Sequence, residues 1–199
     1  KVERDTAFDD HRFRSAGIRL SYESAHPLPA GVKEGVLLEA GFDQVAPNRP
    51  CDITSWAYDQ AIASGVQCTD NRALAVPCYE PGFTLVEKLQ TVSTKYRQYQ
   101  ASGAMPRNFM RHYYDIYCLL ADQSVQAFIG TDPYTQHKEH RFPAADNKDI
   151  TQNEAFSLAD VTVRGDFEKA YASTSTLYYR GQPAFSELLE RIQANAARL

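Results

Sequence analysis

The chain is expected to be an α+β protein, with a small sheet within residues 1–80 and a mostly helical second half, 81–199. Three observations predict this. Before residue 80, apolar residues alternate with polar ones in short runs, the period-two signature of strands. After Pro81 they recur three, four and seven apart, as on one face of a helix. The 199 residues are 43% hydrophobic, enough to bury a core, and no apolar run approaches the roughly 20 residues that a membrane helix needs.

Taken in order, Ala7 to Ser15 reads as a helix tail or connector, with Arg12, Arg14 and Arg19 around a strand from Gly17 to Tyr22. A Pro-rich turn, Ala25 to Gly31, leads to Lys33–Phe42, where Val36, Leu37 and Leu38 mark a well-buried strand that forms a hairpin-like pair with the first. Asp43 to Cys51 reads as loop, Ile53 to Ala63 as a short helix with Trp56 and Ile62 inward, and Ala73 to Tyr79 as a third strand near an edge because of Pro77. Thr84 and Glu87 fit a capping box. Leu85, Leu89, Val92, Tyr96 and Tyr99 then share one helix face, and Ser102-Gly103 stops that helix. A second helix from about Arg107 to Asp122 would bury Phe109, Tyr113, Ile116 and Leu120. Asp132 to Asn153 reads as polar loop, and two further helices span Asp166–Tyr179 and Ala184–Ala197.

Charge and cysteine content narrow the function classes. The net charge of -4 argues against a wholly basic nucleic-acid glove. Yet from Lys88 to Tyr114 there are five cations (Lys88, Lys95, Arg97, Arg107, Arg111) and no acid, so the remainder carries -9. Cys51, Cys68, Cys78 and Cys118 show no C-x-x-C spacing and the charged start is no signal peptide, so buried reduced thiols and a cytoplasmic setting are expected. The chain begins without Met, which suggests that residues were removed upstream. His137 and His140 have an H-x-x-H spacing, but no further Cys or His lies close by to complete a zinc site. Dinucleotide, P-loop and nucleophile-elbow motifs do not occur.

Three features could carry chemistry. Glu39 places a carboxylate within an apolar strand, where it needs a cation, a metal or solvent; taken alone, a strand end reaching water is the favoured explanation. Lys88, one turn into the capped helix, could hold a phosphate with help from the helix dipole, or could be a solvated surface lysine. Arg111 and Asp115, four apart, could be a functional pair or an ordinary intrahelical one.

In combination these features carry a resemblance. Phe83-Thr84-Leu85-Val86-Glu87-Lys88-Leu89, a spacer, and Arg111-His112-Tyr113-Tyr114-Asp115-Ile116-Tyr117-Cys118-Leu119-Leu120 resemble the bacterial AbiEii/AbiGii-type nucleotidyltransferase toxins. The Val36–Phe42 strand and the closing Gly181–Leu189 segment look like the same family, so the likeness runs across nearly the whole chain. The resemblance implies a polymerase-beta-like nucleotidyltransferase mixed sheet followed by a C-terminal helical bundle. It implies an NTP substrate with Mg²⁺, transfer of NMP to an acceptor such as tRNA, and a cognate antitoxin, with no membrane partner. Lys88 would contact phosphates and Asp115 would be the late acidic residue needed for activity. Glu39 would be a third carboxylate beside the metal pair, and Arg111 would orient Asp115 or neutralise phosphate. Lys95, Arg97, Arg107 and Tyr96 would line an acceptor path, unless the tyrosine is core and the cations face solvent.

Members of that family begin with a Gly-Gly-Ser/Thr or Gly-Ser turn and an Asp-x-Asp metal pair, and neither occurs here. The expectation is therefore a C-terminal two thirds of such a protein, inactive alone because Glu39 cannot hold two metal ions. The other reading is a non-catalytic helical module that binds an antitoxin or nucleic acid. The enzyme reading makes one geometric demand: Glu39, Lys88 and Asp115 within about 10 Å of one another around one cleft.

Overall fold

Short strands fill the first of two units, Lys1–Ala46, and helices dominate the second, Pro47–Leu199. The computed structural model describes residues 1–9, 15–28, 34–43, 45–178 and 181–199. Much of the connector expected before Ser15, with Arg12 and Arg14, the end of the Ala25–Gly31 turn, and Tyr179 and Arg180 lie outside the described residues.

In the first unit β1 (Val2–Arg4), β2 (Ser15–Leu20) and β3 (Val36–Gly41) form an antiparallel sheet in the order β1-β2-β3. The pairing expected between the two longer strands is present, with Ile18 opposite Leu38 and Gly17 opposite Glu39. The Arg19 guanidinium donates to Asp5 Oδ2 at 2.9 Å and ties β2 to the short 3-10 turn Thr6–Phe8 that follows β1. The expected burial of β3 is not found: Val36 and Leu38 are about half exposed, and only Leu37 turns partly inward. Burial of a strand needs a second layer packed over it, so apolar sequence alone does not bury a strand.

The second unit opens with β4 (Asn48–Ile53), α1 (Trp56–Ala63) and β5 (Ala73–Tyr79). β4 falls where loop was expected. It pairs antiparallel with β5, and its Pro50 lies opposite Pro77, so the residue that marked β5 as an edge has a proline partner. α1 is capped by Ser55, whose side chain accepts from the Tyr58 amide, but Trp56 is 67% exposed and Ile62 54%, not inward as expected. The thiols also depart from expectation. All four are free, but Cys51 and Cys78 are half-buried and Cys68 and Cys118 exposed.

The remainder is built around α2 (Pro81–Ser102), with α3 (Arg111–Leu119), α4 (Gln123–Phe128), α5 (Asp132–Arg141), α6 (Glu154–Ser157), α7 (Val161–Ala172) and α8 (Phe185–Asn195). α2 begins earlier than the Thr84 capping box suggested. Glu80 is its N-cap and Pro81, whose ring presets a helical φ, is its first residue. Its expected apolar stripe is buried at Leu85, Leu89, Val92 and Tyr96, and Gly103 ends it in the left-handed conformation at φ 67. α3 starts later than expected because Asn108 adopts φ 56, which breaks the helix over Arg107–Met110. Phe109, Tyr113, Ile116 and Leu120 are nevertheless buried as its pattern required. α5 occupies the segment expected to be loop. Thr131 caps it through the Tyr134 amide, with a proline in its first turn.

Phe167 of α7 sits at the centre of an aromatic cluster, 5.2 Å from the ring of Tyr99, 5.5 Å from Phe109 and 5.9 Å from Tyr96. The buried Tyr113 hydroxyl donates to the Ala155 carbonyl at 2.8 Å, which fastens α3 to α6. No helix among the described residues is long and apolar enough to cross a membrane.

One glycine sets a close approach. A Cβ at Gly82 would lie 2.4 Å from Phe128 Cδ1. The Phe128 ring cannot easily withdraw, being packed 4.7 Å from Phe83 and 5.9 Å from Tyr134. Gly→Ala in a helix ordinarily stabilises by about 0.5–1 kcal/mol. Here overpacking, at about 1–3 kcal/mol, should win. Gly82→Ala is expected to lower the urea unfolding midpoint, and a raised midpoint would show that α4 can shift aside.

Candidate functional site

The seam between α2 and α3 holds the charged residues singled out by sequence. Lys88 Nζ lies 2.8 Å from Asp115 Oδ2, with side-chain exposures of 28% and 35%. Burial raises the Asp115 pKa, but His112 and Lys88 outweigh it and the net direction is downward, so the carboxylate is ionised at neutral pH. The expected partner of Asp115 along its own helix, Arg111, forms no ion pair with it among the described residues; the lysine of the neighbouring helix takes that place. Because α2 starts at Pro81, Lys88 stands two turns inside the helix. The helix dipole acts within the first turn, so the charge of Lys88 acts there without its help.

Helix geometry sorts the remaining cations. Lys95 follows Lys88 by seven residues, two turns and about 10 Å along the same face. Its Nζ donates to the Arg107 carbonyl at 3.2 Å, and its pKa is lowered by burial and then by the nearby Arg111. Lys95 and Arg111 thus lie near each other, Arg111 and Lys88 both lie near His112, and the sequence from Lys88 to Tyr114 holds no carboxylate. Arg97, nine residues from Lys88, faces the other side of α2. It donates through Nε to Asp146 Oδ1 at 2.6 Å, and the Asp146 carboxylate, which has no solvent exposure, also accepts from Thr94 Oγ1. Arg97 therefore anchors the loop after α5 and does not join the seam. Tyr96, the aromatic of the expected acceptor path, is buried against Phe167.

Glu39 lies in the other unit, exposed on β3 opposite Gly17. It lies within the strand, not at its end, and is exposed to water. Among the described residues no three His, Cys, Asp or Glu side chains gather to hold a metal ion. The carboxylate nearest the seam, Asp115, is already engaged by an ammonium group. The donors described here do not fit the Mg²⁺ that the family chemistry calls for, and no step is derived through it.

Two neighbours of the pair were given no site role by sequence. His112 lies one turn before Asp115, buried, with Nδ1 3.8 Å from Asp115 Oδ2. On the adjoining face of α2, Glu87 is not a capping residue. It accepts from the Tyr79 hydroxyl at 3.1 Å, with His137 Nε2 at 3.7 Å and Arg141 Nη2 at 3.5 Å. His137, on α5, also packs 4.8 Å from the Phe83 ring, so it serves helix packing. Only the short spacing of His112 to Asp115 was open to a sequence reading. Of the partners of Glu87, Tyr79 is eight residues away, while His137 and Arg141 come from some 50 residues further along.

Burial lowers the pKa of both His112 and His137. A group whose folded pKa lies below its unfolded value of about 6.5 binds fewer protons when folded. Its contribution is therefore full above that value and is lost as pH falls through the folded pKa. The thermal midpoint is expected to fall between pH 7.5 and 5.5, and His112→Gln with His137→Gln to flatten that slope. An unchanged slope in the double variant would place the acid sensitivity elsewhere.

A family model described as nucleotidyl transferase AbiEii toxin, type IV TA system, matches residues 1–191. Comparison with curated proteins and with solved structures finds no match. A match over nearly all of the sequence, spanning both units and the seam that joins Lys88 to Asp115, establishes that the chain belongs to the AbiEii nucleotidyl transferase toxin family of type IV toxin–antitoxin systems.

Proposed function

We propose that the protein transfers a nucleoside monophosphate from an NTP to an RNA acceptor such as tRNA, and that the α2/α3 seam is where the triphosphate and the acceptor strand are held. The observation that carries this reading is the 2.8 Å Lys88–Asp115 pair, with five cations and no acid in the sequence from Lys88 to Tyr114. In such a transfer an acceptor hydroxyl forms a bond to the α-phosphorus and pyrophosphate leaves. Catalysis then rests on positioning and on cations that spread the developing charge. Lys88 supplies a compact point charge for the phosphates. Asp115 keeps that ammonium aimed. Lys95, Arg107 and Arg111 continue the positive track along which a phosphodiester backbone fits. Family membership supports a nucleotide substrate and an antitoxin as the restraining partner.

These 199 residues contain no Gly-Gly, Gly-Ser or Asp-x-Asp sequence, and by themselves they are expected to transfer nothing. The test is a transfer assay with each radiolabelled NTP, Mg²⁺ and total tRNA, run on the protein as its gene encodes it and on the 199-residue chain. Lys88→Ala and Asp115→Ala should each lower kcat at least about 100-fold in folded protein. Lys95→Ala, Arg107→Ala and Arg111→Ala should weaken acceptor binding and each reduce its salt slope by about one. Arg97→Ala should leave the slope unchanged. No transfer with any nucleotide would favour a helical module that binds an antitoxin or nucleic acid without catalysis.

A further inference from the structure

His112 presents an anomaly. Its Nδ1 is buried and has no hydrogen-bond partner, whereas buried polar atoms are nearly always satisfied. The nearest carboxylate oxygen, Asp115 Oδ2 at 3.8 Å, is too far for a hydrogen bond and is the same oxygen that Lys88 holds at 2.8 Å. Two donors thus converge on one acceptor, and only one is bonded.

We propose that His112 is a positioning residue for Asp115: its Nδ1–H takes over Asp115 Oδ2 when Lys88 turns from the carboxylate to an anionic ligand such as the phosphates of an NTP. The proposal rests on the phosphate-binding reading of Lys88 given above. Ionisable groups facing His112 are Lys88 from α2 and Arg111 and Asp115 from its own helix. Burial and the two cations favour the neutral ring, while Asp115 alone opposes them. A neutral imidazole has one N–H to offer, and the buried Nδ1 has no other acceptor to give it to. Closing the gap requires about an ångström of ring movement. Asp115 would otherwise lose its partner at the moment the charge of Lys88 is shared with phosphate. With His112 it keeps a hydrogen bond, stays ionised and stays in place. Lys88 can then exchange partners without leaving a half-buried carboxylate unpaired, which is the cost that would otherwise oppose ligand binding. No proton changes owner; one hydrogen bond replaces another.

Imidazole ¹⁵N spectra of the 199-residue chain at pH 7.5 test this. Lys88→Met frees Asp115, and the His112 Nδ1–H should then appear as a hydrogen-bonded resonance shifted downfield and protected from exchange. Lys88→Gln repeats the test if Met disturbs packing. Adding Asp115→Asn to either should abolish the signature, which separates a hydrogen bond to the carboxylate from a simple loss of the lysine charge. Inorganic pyrophosphate added to the unsubstituted chain should move His112 toward the Lys88→Met spectrum. An Nε2–H tautomer in the Lys88 variants, or an Nδ1 signal indifferent to Asp115, would overturn the proposal. If the bond forms in Lys88→Met but pyrophosphate moves no resonance, the His112–Asp115 pairing stands and the phosphate-binding reading falls.

Discussion

The enclosure of α2 is the constraint from which the second unit follows. A 22-residue helix packed against α3, α4, α5 and α6 has little face left for water. Its apolar residues supply the core, and each polar residue between them must find a partner on whichever neighbour it meets, because an unpaired buried polar group costs about 1–3 kcal/mol. The partners are specific. Glu87 meets Tyr79, His137 and Arg141, and Ser93 accepts from Asn153 at 2.9 Å. Thr94 and Arg97 converge on Asp146. Lys88 meets Asp115.

Of these, the Lys88–Asp115 pair differs in kind. Asp146 is sealed, with its oxygens given to two α2 side chains, an arrangement that suits holding the fold together. Lys88 and Asp115 are each about a third exposed, so an ion from solvent can compete for either. A pair at this depth adds little to stability, about 0–1 kcal/mol, yet costs little to open. From Lys88 to Tyr114 the sequence carries five cations and no acid. That combination suits an exchangeable phosphate contact better than a structural bolt, and it is why the seam, and not the Arg97–Asp146 contact, is the candidate site.

What could be read from sequence follows the range of the interactions involved. The buried stripes of α2 and α3 were legible because helix periodicity is local, and the β2–β3 pair because alternation is. α5 was missed because its polar composition hid a local signal that was present, a Thr131 cap followed by Pro133. β4 was missed because Pro50 reads as loop until Pro77 is seen opposite it. Leu38, Trp56 and Ile62 are exposed because burial depends on a second layer, which a strand or helix cannot announce. At the site, Lys88 and Asp115 could be named, but the 26 residues between them say nothing of which faces meet. Arg97 looked equivalent to Lys95 until the helix put them on opposite sides.

The account depends most on the ion pair across the α2/α3 seam, and a double-mutant cycle measures it. Lys88→Met, Asp115→Asn and the double variant would be unfolded in urea alongside the unsubstituted chain at low salt. A coupling energy of about 0.5–1 kcal/mol, shrinking as salt is added, is the predicted result for a partly exposed pair. Additive effects of the two substitutions, with no coupling at any salt concentration, would mean that Lys88 and Asp115 do not meet and would contradict the site at its centre.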